Sequence, residues 1–292
     1  MRSPALRSSP LIVSARARLA AVLGDPVAHS LSPRLHNYWF RRYRIDGVYL
    51  ALRTAARDLA AVLDLLPRLG FLGFNVTVPH KERAFTLLAA HDPAARRMRA
   101  VNTIVRREDG SLFGMNTDGL GFRRSLEEAV PDWRPDSGPA VLLGAGGAAR
   151  AVAVTLLEAG VPELRIANRT PQRAAELASW LADRRVSVVP WRARAEALAG
   201  AALLVNATRL GMTGAPPLEL SLDLLPEAAI VCDIVYTPLE TALLRRARRR
   251  GLRTVDGLGM LLHQAVPGFR HWGGREPEVD AGLRSFLLQG LG

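Results

Sequence analysis

The sequence predicts an α/β protein built from two successive series of strands and helices. Three observations carry that expectation. Apolar runs of strand length alternate with helical segments from Leu19 onward. A turn-rich stretch, Pro131-Asp-Trp-Arg-Pro-Asp-Ser-Gly-Pro139, leads into a second series of the same kind. At 292 residues the chain is long enough for two domains of roughly 100–200 residues, each with its own core.

In the first series, Leu19–Leu23 reads as a strand followed by a helix from Pro33, Val48–Leu52 by a helix through Leu66, and Gly73–Val78 by a helix from Pro79. This is the rhythm of a parallel sheet with helices packed on it. The second series opens with Ala140-Val-Leu-Leu143, then a glycine-rich turn and an alanine-rich helix. It continues with strands at Leu164–Ala167, Val186–Val189, Leu203–Val205 and Ile230–Val235, the pattern of a doubly wound, Rossmann-like half.

Composition narrows the function classes. A hydrophobic content of 49% with 23% charged residues suits a globular chain, and no apolar run approaches the roughly 18 residues of a spanning helix. The single Cys232 lies in an apolar run and allows no internal disulfide, which suits a reducing, cytoplasmic setting. Net charge is +12, with its densest patch at Arg245-Arg-Ala-Arg-Arg-Arg250. Interleaved leucines and a following Gly251 read better as the cationic end of a helix than as a nucleic-acid surface. The first 17 residues, rich in Ser, Pro and Arg, read as a disordered extension or the product of an upstream start codon in preference to a transit peptide.

Gly144-Ala145-Gly146-Gly147-Ala148 lies between a strand and a helix, where glycines let backbone N–H groups approach a pyrophosphate. A ligand-free tight turn is the plainer alternative. The following strand ends in Asn168-Arg169-Thr170, with Arg173 one turn on. A carboxylate near this point would accept bonds from the ribose hydroxyls of NAD; guanidinium groups here favour the extra phosphate of NADP.

Lys81 is the only lysine beside 38 arginines. It offers what arginine cannot, a compact ammonium able to give up a proton where its surroundings favour the neutral form. Asp118, in Asn116-Thr-Asp118, is the carboxylate expected to share that proton work, unless it only shapes a turn before Gly119. All six Asn are expected at element ends: Asn37, Asn75, Asn102, Asn116, Asn168 and Asn206. Capping and turn formation explain any one of them; Asn75, Thr77, Asn102 and Asn116-Thr-Asp118 also suit a polyhydroxylated small molecule. Ser32 reads as the N-cap of the helix at Pro33, and Ser30 and Ser32 with free N–H groups form a carboxylate site. His29, His36 and His263 read as structural or rim residues, and no metal-binding or nucleophile-elbow motif is present.

From about Leu19 to the end, the chain resembles the shikimate dehydrogenase family. The likeness is carried, in order, by Gly24-Asp-Pro-Val-Ala-His-Ser-Leu-Ser-Pro33, Asn75-Val-Thr-Val-Pro-His-Lys81, Ala100-Val-Asn-Thr103 and Asn116-Thr-Asp-Gly119. It continues through the glycine loop, Asn168-Arg-Thr170, Asn206-Ala-Thr208, Asp233-Ile-Val-Tyr-Thr-Pro238 and Asp256-Gly-Leu-Gly-Met-Leu-Leu-His-Gln264. The resemblance implies reversible NADP-dependent reduction of 3-dehydroshikimate, with Lys81 and Asp118 as the catalytic pair. It implies that Ser30 and Ser32 hold the substrate carboxylate, and that Thr77, Asn102, Tyr236 and Gln264 bind ring hydroxyls or line the site. Asn206, Thr208, Gly257, Gly259 and Met260 join the cofactor side, and the last helix returns to the first domain. The implied domains are 18–120 with 257–292 for substrate and 121–256 for NADP, in a monomer or homodimer. Arg99 and Arg209 depart from the family pattern without removing a catalytic group. A quinate/shikimate dehydrogenase using NAD, or a non-catalytic NADP-binding sensor, are the alternatives.

Overall fold

The structure is a computed structural model in which residues 13–290 are described. The chain divides into two compact units, one running to Thr117 and resuming at Gln264–Gly290, the other spanning Asp118–His263. The first contains β1 (Arg18–Gly24), α1 (Ser32–Arg42), β2 (Gly47–Arg53), α2 (Leu59–Arg68), β3 (Phe71–Val76), α3 (Lys81–Leu87), β4 (Ala90–His91), α4 (Pro93–Met98), β5 (Thr103–Arg106) and β6 (Leu112–Met115). The second begins with α5 (Asp118–Ala129), β7 (Ala140–Leu143), α6 (Gly147–Ala159), β8 (Leu164–Ala167), α7 (Pro171–Leu181) and β9 (Val186–Val189). It goes on through β10 (Leu203–Asn206), β11 (Ile230–Asp233), α8 (Ala242–Arg249) and β12 (Arg253–Val255). Helix α9 (Gly257–Gly273) runs across the division between His263 and Gln264, and α10 (Ala281–Leu288) follows.

The first sheet has the order β2-β1-β3-β5-β6-β4. Its β2, β1 and β3 are parallel, as the alternation of strands and helices predicts. Beyond β3 the expectation of a wholly parallel sheet fails, because β5 runs antiparallel to both β3 and β6. The reason is local: β5 and β6 are joined by a tight turn closed by Arg107 N donating to Ser111 O (2.8 Å), with Gly110 at φ +82°, and so short a link permits only antiparallel pairing.

Helix α1 buries Leu35, His36, Tyr38, Trp39 and Phe40. His36 lies face to face with Tyr49 (centroids 4.2 Å apart, 13° between planes) and beside Trp39, Phe269 and Trp272. Burial pulls the His36 pKa down to about 3, so the ring is neutral and structural. Asn37, expected at an element end, instead sits inside α1. Its amide takes the Tyr49 N–H on Oδ1 and donates from Nδ2 to the Tyr49 carbonyl, both at 2.9 Å. Helix α10 lies on α1, where Arg42 pairs with Asp280 (2.5 Å) and Glu278 (2.8 Å) and the rings of Tyr38 and Phe286 stand 5.0 Å apart. Residues 14–17, within the stretch expected to be disordered, form a turn bound to Asp46 through Ser14; residues 1–12 of that stretch lie outside the described residues.

The second sheet is parallel throughout, in the order β12-β11-β10-β7-β8-β9. The chain winds outward from β7 in one direction and from β10 in the other, so the strand order reverses between these two neighbours. Alternate residues of β7 feed opposite cores: Ala140 and Leu142 pack with α5 and α6, while Val141 and Leu143 pack with Leu198, Leu225 and Leu244. The arginine run is largely committed to holding its own unit. Arg246 donates to Leu218 O, Arg250 to Leu222 O and Leu225 O, and Arg248 pairs with Glu240. No described helix is long and apolar enough to cross a membrane.

Candidate active site

In the first unit the candidate groups gather at the ends of β1, β3 and β6. Ser30 and Ser32 precede and open α1, but their capping roles are reversed from expectation. The helix begins one residue early, with Leu31 already helical (φ −81°, ψ −7°), so Ser32 makes no side-chain cap bond. Ser30 Oγ instead accepts from Ser32 N at 3.3 Å. After β3, Thr77 N donates to Leu23 O (2.9 Å), and a turn closes from His80 N to Thr77 O (2.8 Å) across the cis Val78–Pro79 peptide. That turn delays α3, which starts at Lys81 rather than at Pro79.

The carbonyl of Lys81 accepts from Val101 N (2.9 Å), which ties the start of α3 to the residue before Asn102. Asn102 is 2% exposed and lies at the centre of a polar network. Its Nδ2 donates to Gln264 Oε1 (3.1 Å) and Thr117 Oγ1 (2.9 Å), and its Oδ1 accepts from Thr117 N (2.8 Å). Thr117 Oγ1 donates to Gln264 O (2.8 Å). Asn75 adds Nδ2 contacts to Asn102 O and Thr103 Oγ1, both 3.1 Å, while its Oδ1 accepts from Tyr49 OH (2.5 Å). The structure thus brings together Asn75, Asn102, Thr117 and Gln264. Asn116 is a scaffold residue, its Nδ2 donating to Ala100 O (2.8 Å).

In the second unit, Asp118 opens α5 and is 4% exposed. Gly144 follows β7 at φ +116°, where a Cβ would stand 2.8 Å from Ala207 O; only glycine lets the two turns approach so closely. Gly146 is the N-cap of α6 without a side-chain bond, and a Cβ on it would meet nothing within 4 Å. Open space therefore faces the uncapped first turn, which, with the buried Ala145 behind it and Gly147 and Ala148 carrying the helix onward, suits a pyrophosphate. Past β8, Asn168 Nδ2 donates to Thr170 O (2.8 Å), while Arg169, Thr170 and Arg173 are exposed and, among the described residues, no carboxylate pairs with either arginine. That donor set fits a 2′-phosphate.

The comparisons with known proteins follow this division. Residues 22–104 match the family model described as the shikimate dehydrogenase substrate binding domain, and residues 132–211 the one described as shikimate / quinate 5-dehydrogenase. A shikimate dehydrogenase (NADP(+)) of Paramagnetospirillum magneticum is 57% identical over 94% of this chain and 100% of its own length.

The chain belongs to the shikimate dehydrogenase family.

Solved members bear this out. Shikimate 5-dehydrogenase of Thermus thermophilus, in complex with NADP(H) and shikimate, has a TM-score of 0.80 and 41% identity, covering 94% of this chain and 98% of that one. A quinate dehydrogenase of Corynebacterium glutamicum in complex with NAD has a TM-score of 0.86 and 34% identity, covering 94% and 99%.

In this shikimate dehydrogenase family member, the remaining expected residues cluster past β10 and β11. Asn206 is fully buried and uses its amide internally: Oδ1 accepts from Thr208 N (3.1 Å) and Oγ1 (2.7 Å), Nδ2 donates to Leu210 O (3.1 Å). Tyr236 is half-buried, Gly257 opens α9 against the backbone of Ile234 and Val235, and Met260 is 8% exposed. Arg209 is exposed, and Arg99 ends α4 in the left-handed region at φ +45°. Sequence reasoning overlooked Tyr49 and gave Asp233 no role; the place of Asp233 at the head of Asp233-Ile-Val-Tyr-Thr-Pro238 was the available signal.

Proposed function

We propose that the protein catalyses the NADP-dependent, reversible reduction of 3-dehydroshikimate to shikimate, a step of aromatic amino-acid biosynthesis. The observation that carries the reading is the Val101-to-Lys81 hydrogen bond, which sets the chain's only lysine beside the Asn102–Thr117–Gln264 network of amides and hydroxyls. Such a network suits a polyhydroxylated ring, and the lysine at its border suits a proton on one of those oxygens.

The cofactor, when bound, donates or accepts hydride at its nicotinamide. Lys81 and Asp118 hold and move the proton of the substrate hydroxyl. Ser30 and Ser32 hold the carboxylate, Thr77, Asn102, Tyr236 and Gln264 orient the ring, and Met260 packs at the nicotinamide. The loops at 144–148 and 206–208 hold the pyrophosphate side through backbone groups, Gly257 lets the start of α9 close on it, and Asn168, Arg169, Thr170 and Arg173 select the 2′-phosphate. On this reading residues 18–120 with 257–292 serve the substrate and 121–256 the cofactor, in a cytoplasmic monomer or homodimer.

The test follows nicotinamide absorbance with purified protein, offering shikimate or quinate against NADP or NAD in all four pairings. Preference for shikimate with NADP is expected. Preference for quinate or NAD would promote the relationship to the Corynebacterium enzyme, and silence in every pairing despite NADP binding would favour a sensor.

A further inference from the structure

Among the buried titratable groups, Asp233 is one that the proposed chemistry leaves unused. It ends β11, is 1% exposed, and accepts from Thr241 Oγ1 (2.7 Å), Asn206 Nδ2 (3.0 Å) and Val235 N (3.1 Å). Each donor belongs to a different segment. Asn206 is the hub of the 206–210 loop, whose Ala207 carbonyl abuts Gly144. Val235 opens the stretch to Tyr236, and Gly257 at the start of α9 packs on that same backbone, with room for no Cβ. Thr241 is the N-cap of α8, accepting from Leu244 N at 3.3 Å.

Burying a carboxylate is costly unless its oxygens are well bonded. Burial raises the Asp233 pKa to about 6, and the three donors oppose that shift. A neutral Asn would keep an acceptor for Asn206 and Val235 but turn an NH2 towards the Thr241 hydroxyl, reversing that bond and removing the charge.

We infer that Asp233 is a positioning residue for dinucleotide binding, holding the 206–210 loop, the 234–236 stretch and the start of α9 in the arrangement the cofactor needs. The inference rests on the cofactor reading above. A residue that only stabilises the fold would change melting temperature and active fraction, not cofactor affinity.

The experiment uses the full chain with Asp233→Ala, Asp233→Asn and Thr241→Val. It measures NADP dissociation by titration, KM for NADP, kcat at saturating cofactor, and thermal melting. Losing a charged hydrogen-bond anchor should weaken NADP binding and raise its KM about tenfold in Asp233→Ala, with a smaller loss of kcat. Asp233→Asn should recover part of the affinity, and Thr241→Val should lose roughly threefold by the same argument. NADP affinity within twofold of wild type in these variants, with only the melting point lowered, overturns the inference. Should Asp233→Ala fail to fold, the two milder variants decide. Wild-type protein that binds no dinucleotide would overturn the functional reading and this inference together; an active wild type with unaltered variants overturns this inference alone.

Discussion

His36 gives the sharpest quantitative prediction. Its ring is enclosed by Trp39, Tyr49, Phe269 and Trp272, and burial lowers its pKa from 6.5 to about 3, with Asn75 opposing the shift only in part. A native pKa below the unfolded value means that the unfolded chain takes up a proton the native protein refuses. The stabilisation is therefore complete above 6.5 and is lost as pH falls toward about 3. At about 1.4 kcal/mol per pH unit, acidification from about pH 7.5 to about pH 5 removes roughly 2 kcal/mol through this residue alone. His36→Phe keeps a flat ring in the aromatic enclosure and abolishes the titration. Urea unfolding of both proteins at the two pH values isolates the effect, because every other titrating group appears in both. The variant should lose roughly 2 kcal/mol less stability than wild type over this interval. Parallel losses would refute the account of a neutral, desolvated His36.

Three further outcomes are expected. Lys81→Ala should reduce turnover by roughly 100-fold or more while NADP titration stays near wild type; undiminished turnover would remove Lys81 from the chemistry. Arg173→Ala should raise KM for NADP about tenfold and leave KM for NAD nearly unchanged, so equal effects on both would deny it the 2′-phosphate. Gly144→Ala places a side chain at φ +116° and within 2.8 Å of the Ala207 carbonyl. It should cost about 1–3 kcal/mol in thermal or urea unfolding and weaken cofactor binding, and a variant as stable as wild type would contradict the close approach.

The second unit was the more legible from sequence, because β7, the Gly144 turn and α6 are consecutive and their periodicities change at the glycines. The antiparallel part of the first sheet was hidden: β4, β5 and β6 are short, and no strand–helix rhythm announces them. The Asn102–Gln264 bond joins residues 162 apart, a proximity that only the family resemblance could suggest. Ser32 was misread because helix α1 begins one residue early, and Asn37 because an amide inside a helix can serve a neighbouring strand. Asp233 lay within a quoted motif, yet its meaning emerges only once the fold brings Asn206, 27 residues earlier, onto the same carboxylate as Val235 and Thr241.

The Asn37 amide has a consequence for the life of the protein in a crowded solution. Strand β2 is the last in its sheet, and such a border offers open rungs on which a foreign strand can be laid. Asn37 fills the rung at Tyr49 with a peptide-like group of its own, complete with one donor and one acceptor. The protein thereby closes that rung with a counterfeit strand one residue long, carried by helix α1, and a foreign strand laid on this border would forgo the two hydrogen bonds at Tyr49.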